Sequence, residues 1–242
     1  HANLAITLLK NTWHHLVDTQ QPAELQEAIN AIETALRIDS QSAEANAIKH
    51  WISALQLQFV DAGAALIEYN ESLKHYDKIS FVHHAMGVFL RNCGEIQLAE
   101  EHYKKCLELD NSPIVWCELC ALYLDTERLK ESADAGQKCA ELYDAQPSLY
   151  PEFRSNGYRM SALALHKYAL DGGLSNDEPD YAMYNMNEKA WHYSSKAIAA
   201  DPTNMAAHQE RGYLEDARDY LNPEFGADSS CFPKAALVLT PN

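Results

Sequence analysis

The sequence predicts an all-α protein built as a solenoid, in which antiparallel helix pairs stack side by side. Apolar residues recur at three- and four-residue spacing along nearly the whole chain, which is the period of one helix face. Small residues recur at a longer and nearly constant interval, which indicates a repeated helix–turn–helix unit. We therefore expect one helical repeat domain over residues 1–222 and an extended or disordered tail over residues 223–242.

The repeat interval is clearest at the small residue that recurs in the second helix of each pair. This residue is found at five positions: Ala28, Ala65, Ala99, Ser132 and Ala190. The intervals between them are 37, 34, 33 and 58 residues. The long last interval contains the Gly/Asp/Pro-rich residues 171–180, where we expect a loop.

The clearest unit lies within residues 80–111, which predict two amphipathic helices joined at a glycine. Gly87 and Ala99 are small at places where the two helices must approach closely. Ser112 and Pro113 then mark the start of the next pair, as a cap and a first helical residue.

The same pattern predicts helices on both sides of this unit. Residues 4–17 and 23–38 form a first pair, and residues 42–76 form a second. Near the other end, residues 205–221 predict a lone, charged helix without a partner. Such a helix caps the open end of a solenoid.

The sequence resembles the tetratricopeptide repeat (TPR) family over about residues 4–221. Trp116, Leu119, Cys120 and Tyr123 follow the family string W-x2-L-G-x2-Y, with cysteine in the small position. The resemblance implies a right-handed α-solenoid of about five TPR-like repeats plus a C-terminal capping helix. It also implies that the first helix of each pair lines a concave groove, where TPR proteins usually bind their ligands.

Counting from the small residue of each first helix identifies the side chains that the resemblance places in this groove. The candidate peptide-binding residues are Trp13, His50, Trp51, Phe81, His84, Val88, Arg91, Cys117, Glu118, Arg159 and His166. Aromatic and arginine side chains commonly anchor protein interfaces. The alternative is that the aromatic residues fill the core, because a shift of one residue in this register would bury Trp51.

Composition excludes several classes of partner. The formal charge of −16 and the pI of about 5.0 predict a surface that repels phosphate backbones, so we expect no nucleic-acid partner. No apolar run is long enough to span a membrane. The 6 cysteines are too sparse for a disulfide framework and are typical of a reducing compartment. We expect a cytoplasmic protein, or a periplasmic one if an export signal has been removed.

No catalytic or nucleotide-binding motif is present, so we expect no enzymatic activity, no cofactor and no metal. Cys117 and Cys120 share a helix face and offer an alternative thiol site, although Cys120 occupies a small core position. The histidines do not have H-x3-H spacing on any predicted helix. A zinc or copper site assembled from histidines of different repeats is therefore an alternative.

The favoured function is a non-catalytic scaffold or adaptor that binds a peptide or helix of a partner protein in the concave groove. A second hypothesis is an accessory TPR domain of a larger enzyme or of an envelope or pilus assembly. A third is a metal or redox sensor that uses cysteine and histidine. Self-association through the apolar residues 235–239 of the tail is a further hypothesis.

Overall fold

A computed structural model describes residues 23–148, 151–170 and 179–220, and all regular structure in these ranges is helical. None of these helices is both long and apolar enough to cross a membrane. The ten helices are α1 (Ala23–Ile38), α2 (Ala43–Leu57), α3 (Ala62–His75), α4 (Ser80–Asn92), α5 (Ile96–Leu109), α6 (Pro113–Asp125), α7 (Leu129–Ala145), α8 (Pro151–Leu170), α9 (Pro179–Ala200) and α10 (Met205–Tyr220).

Consecutive helices pack in pairs, α2 with α3, α4 with α5, α6 with α7 and α8 with α9. Helix α1 packs against α2, and α10 packs against α8 and α9. Each pair also contacts the next one along the chain. The prediction of an all-α solenoid is therefore confirmed. The helix predicted at residues 4–17 and the tail at residues 223–242 lie outside the described residues.

Short-range signals in the sequence define where the helices begin and turn. The side chain of Ser42 accepts a hydrogen bond from the backbone N–H of Ala45 at the start of α2. Asp61 caps α3 in the same way through Ala64, at 3.0 Å. Gly94, between α4 and α5, has a φ of 83°, which glycine adopts without steric cost.

The small residues predicted at the helix contacts do allow close approach. A Cβ atom on Gly87 would lie 2.6 Å from the ring of Tyr103 on α5. In the following pair, the Ser132 hydroxyl of α7 donates to the backbone carbonyl of Cys120 on α6 at 2.7 Å. These contacts fix the spacing of each pair, and so they fix which faces remain at the surface.

The core extends along the solenoid and does not form a single central cluster. One set of buried side chains spans mainly α1 to α6, and a second spans α7 to α10. Trp51, Tyr69 and Tyr103 are among the largest fully buried side chains. Each lies between two helices, as expected of a protein whose core grows by stacking.

Candidate functional site

Charged side chains connect the first helices α4 and α6 across the boundary between two helix pairs. Arg91 of α4 donates a hydrogen bond to Glu118 of α6 at 3.0 Å. It also pairs with Asp125 at the end of α6, at 2.5 Å. About 25% of the Arg91 side chain and 60% of the Asp125 side chain are exposed. This network holds the two pairs together and also presents polar groups to solvent.

The electrostatics of the network keep Arg91 charged, and the network contains more acidic than basic side chains. Burial acts to lower the pKa of Arg91, but the hydrogen bond to Asp125 and the charge of Glu118 outweigh it and raise the pKa. Burial raises the pKa of Glu118, and the positive charge of Arg91 opposes this effect. Two carboxylates surround one guanidinium, so the network suits a partner group that carries positive charge.

Apolar side chains lie beside these charges. Val88 is one turn before Arg91 on α4, and Ala121 lies between Glu118 and Asp125 on α6; both apolar residues are half-buried. Residues three or four positions apart on a helix share a face. We refer to these five residues as the first-helix surface. It combines two half-buried apolar side chains with an ion-pair network, and Val88, Arg91 and Glu118 are among the residues predicted from the sequence.

Four of the predicted groove residues are buried instead. Trp51, Phe81, His84 and His166 are each at most 4% exposed. The Trp51 ring packs edge-on against Phe81 with ring centroids 4.9 Å apart. Their assignment to an accessible groove is wrong, because each position on a helix is rotated by about 100° from the last and aromatic residues on the inner face fill the core.

The remaining predicted residues are in several places. His50 is half-buried, and its Nδ1 atom lies 2.8 Å from a Glu68 oxygen of α3, so it faces the second helix of its own pair. Arg159 is half-buried and donates to Asn156 of its own helix α8 at 3.0 Å. Trp13 lies outside the described residues. The structure therefore does not bring the predicted groove residues together as one surface.

Cys117, Cys120 and Cys139 lie close together, and of these three only Cys117 is half-exposed, so Cys117 and Cys120 are not an open thiol pair. Cys117 is half-buried, and its thiol raises the pKa of the neighbouring buried Cys139. The Cys120 sulfur lies 3.5 Å from the Ser132 hydroxyl, and burial raises its pKa to about 12. A thiol with this pKa stays neutral, which opposes metal ligation and redox reactivity. Among the described residues, no three or more His, Cys, Asp or Glu side chains are arranged to hold a metal.

Sequence reasoning missed two sets of polar contacts. Asp125 lies 34 positions after Arg91, which is one repeat period, so opposite charges one period apart were a usable signal. His83 of α4 and His102 of α5 have their Nδ1 atoms 3.0 Å apart. No motif indicates this second contact, because its two residues lie on different helices of one pair.

Glu210 is a buried acid on the last described helix, α10. It is 8% exposed, and its Oε1 atom has no hydrogen-bond partner among the described residues. Ala207 lies three positions before it and is fully buried, so this face of α10 packs inward. Burial raises the pKa of Glu210, and the charges of Arg159 and Lys167 partly oppose this effect. The ionised carboxylate therefore weakens the packing of α10.

We expect the Glu210→Gln variant to be more stable than the wild type at pH 7 and not at pH 4. The raised pKa means that the unfolded chain loses the Glu210 proton first, so wild-type stability falls as pH rises from the unfolded pKa through the folded one. The amide cannot ionise, so above the folded pKa the variant keeps an advantage of about 1.4 kcal/mol for each pH unit that separates the folded from the unfolded pKa. Chemical denaturation of both proteins between pH 4 and 8 measures this difference. A difference that is constant with pH would contradict the prediction.

The stacked helix pairs define the class of this protein as a TPR-like α-solenoid. Solved structures with a similar fold include PilF of Pseudomonas aeruginosa, at 19% identity and a TM-score of 0.55, with 74% of this chain and 72% of that chain covered. MamA of Desulfovibrio magneticus RS-1 aligns at 19% identity and a TM-score of 0.53, with 74% of this chain and 91% of that chain covered. Human IFIT1, solved with m7Gppp-AAAA, aligns at 13% identity and a TM-score of 0.50, with 84% of this chain and 46% of that chain covered.

These likenesses concern the fold alone, because the identities are low. No protein-family model matches the sequence, and no curated protein matches it significantly. The three similar structures share the helical-repeat architecture and come from proteins with different names and sources. Function must therefore be argued from the surface of this chain.

Proposed function

We propose that this chain is a non-catalytic scaffold whose first-helix surface binds a peptide or helix of a protein partner. The Arg91 network carries the proposal, because it joins two first helices and leaves charged and apolar groups half-exposed together. Protein interfaces commonly combine an apolar centre with a polar rim, and arginine is a frequent anchor. Helical repeats supply the rigid, extended surface that such binding needs.

The charges favour a partner segment that has a basic residue beside an apolar one. Glu118 and Asp125 outnumber Arg91 within the network, and the whole chain has a formal charge of −16. A lysine or arginine of the partner would pair with these carboxylates, while its apolar neighbour packs against Val88 and Ala121. The same negative charge disfavours a phosphate backbone as the ligand.

A second surface serves as the reference for testing this proposal. An open groove of about 830 Å³ lies between α5, α6 and α7. Its lining includes Trp116 and Tyr123 of α6 and Lys138 of α7. Residues of the second helices α5 and α7 line most of this groove, together with the face of α6 that carries Trp116 and Tyr123, whereas the proposed binding surface uses residues of the first helices alone. A photo-crosslinking residue at Lys138 therefore reports on a different surface from one at Ala121.

We expect a photo-crosslinker at position 121 to capture a protein partner from source lysate, and one at position 138 to capture none. Ala121 is half-buried on the proposed surface, so a bound segment would lie against it. Mass spectrometry of the crosslinked peptide identifies the partner segment, which should contain adjacent basic and apolar residues. Crosslinks at position 138 alone would show that the partner binds in the groove between α5, α6 and α7, and would contradict the proposal.

With the purified partner segment, the Asp125→Ala variant should bind about tenfold more weakly than the wild type, because it removes a carboxylate that would pair with the partner's basic residue. Glu100→Ala is the matched control, because Glu100 also pairs with an arginine of another helix pair, Arg128, at 2.6 Å. Calorimetric titration compares the dissociation constants. Equal weakening by both substitutions would indicate a general loss of pair stacking, and turnover of a substrate by the isolated chain would contradict a non-catalytic role.

A further inference from the structure

We propose that His83 and His102 form a binding site for a borderline transition-metal ion such as Zn²⁺ or Ni²⁺, independent of the first-helix surface. Their Nδ1 atoms are 3.0 Å apart, on the adjacent helices α4 and α5. Imidazole nitrogens bind Zn²⁺ at about 2.0–2.1 Å in a tetrahedral arrangement, which places two ligand nitrogens roughly 3.3 Å apart. The two nitrogens therefore lie within a few tenths of an ångström of the spacing of a ligand pair.

The tautomer of His83 is fixed by its other ring nitrogen. Its Nε2 atom lies 2.8 Å from the backbone carbonyl oxygen of Asp77. A carbonyl oxygen only accepts hydrogen bonds, so Nε2 carries the proton and Nδ1 of the neutral ring presents a lone pair. A backbone carbonyl on the far nitrogen is the usual device that orients a metal-binding histidine.

This lone pair faces Nδ1 of His102, and two nitrogens this close need a hydrogen or a metal ion between their lone pairs. Without a metal, the Nδ1–H group of His102 donates to Nδ1 of His83. With a metal, both rings turn so that their Nδ1 lone pairs meet at an ion to one side of the line between the nitrogens, and the His102 proton moves to Nε2. Both rings stay neutral, so binding through these two ligands releases no net proton.

The surroundings favour a cation at this position. The carboxylates of Asp77 and Glu108 both stabilise positive charge at His83, whereas Lys105 opposes it. Lys105 is itself paired with Glu108 at 2.9 Å.

An ion would enter from the side of His102. His83 is 5% exposed, whereas His102 is half-buried and reaches the surface. Water molecules on that side would complete the coordination of the ion. Two protein ligands with open positions suit Zn²⁺ and Ni²⁺, which accept imidazole readily.

A second histidine pair provides a matched control. His50 of α2 and His75 of α3 stack with ring centroids 5.3 Å apart. The Nδ1 atom of His50 lies 2.8 Å from a Glu68 oxygen, so it is engaged with a carboxylate and not with the second ring. Both pairs thus consist of two histidines with ring centroids 5.3 Å apart. They differ in that the Nδ1 atoms of His83 and His102 lie 3.0 Å apart, whereas Nδ1 of His50 faces a carboxylate.

The test is calorimetric titration of Ni²⁺ into the chelator-treated full chain at pH 7, with wild type, His102→Gln and His75→Gln. We expect His102→Gln to lose one equivalent of bound Ni²⁺ and His75→Gln to keep it. Glutamine at position 102 can still donate to Nδ1 of His83, so the fold should be preserved. The midpoint of thermal unfolding should rise with Ni²⁺ in the wild type and in His75→Gln, and rise less in His102→Gln.

A third variant, His102→Cys, tests whether a different metal ligand at position 102 restores metal binding. His102→Cys replaces one metal ligand by another and should restore Zn²⁺ binding relative to His102→Gln. The other histidines, such as His14 and His15, are present in every variant, so only the difference between variants reports on this site. Equal Ni²⁺ binding by His102→Gln and wild type, or no binding by the wild type, would overturn the proposal and leave a histidine pair that shares a proton.

Discussion

The Trp51→Ala variant is expected to lose about 3–5 kcal/mol of the free energy of unfolding, the usual cost of removing a large buried aromatic side chain. Trp51 has no exposed surface and packs edge-on against Phe81. Phe81 belongs to α4 of the following pair, so the variant creates a cavity at the boundary between two pairs. Urea denaturation followed by circular dichroism measures the loss.

The same variant separates the two interpretations of this tryptophan. A groove residue would tolerate alanine with little loss of stability and would lose partner binding, whereas a core residue loses stability first. Ile67→Ala is the control, because Ile67 of α3 is 63% exposed and its truncation should change stability by less than about 0.5 kcal/mol. A loss below about 1 kcal/mol for Trp51→Ala would contradict its assignment to the core.

The helices were predictable because their signals are local. The predicted bounds 23–38 and 205–221 compare with Ala23–Ile38 and Met205–Tyr220 in the structure. Helical periodicity, serine and aspartate caps and Gly94 each act within a few residues. The repeat interval then predicted the solenoid as a whole, because similar helix pairs bury their apolar faces by stacking against one another.

The candidate site was less predictable because a surface depends on angles as well as on spacing. His50 and Trp51 are neighbours in sequence, yet one pairs with Glu68 of α3 and the other is fully buried. Spacing alone identifies a helix face but does not tell which neighbouring helix covers it. The contacts of Arg91 with Glu118 and Asp125 depend on how two pairs stack, so they became visible only in three dimensions.

Gly87→Ala and Gly212→Ala should change stability in opposite directions. A Cβ at position 87 would lie 2.6 Å from the ring of the fully buried Tyr103, which has no room to move. Overpacking of this kind costs typically about 1–3 kcal/mol. At position 212, in α10, a Cβ would meet nothing within 4 Å. Alanine there should stabilise the helix by about 0.5–1 kcal/mol, because it has less backbone freedom to lose than glycine.

The opposite signs matter because both glycines lie inside helices, Gly87 in α4 and Gly212 in α10. Helix propensity alone predicts that both variants gain stability. At Gly87 the helix α5 packs so closely that the expected change in stability becomes a loss. No described residue fills the equivalent space beside Gly212. Midpoints of thermal unfolding for the two variants measure the contrast. A stabilised Gly87→Ala protein would mean that α4 and α5 do not approach through this glycine in solution.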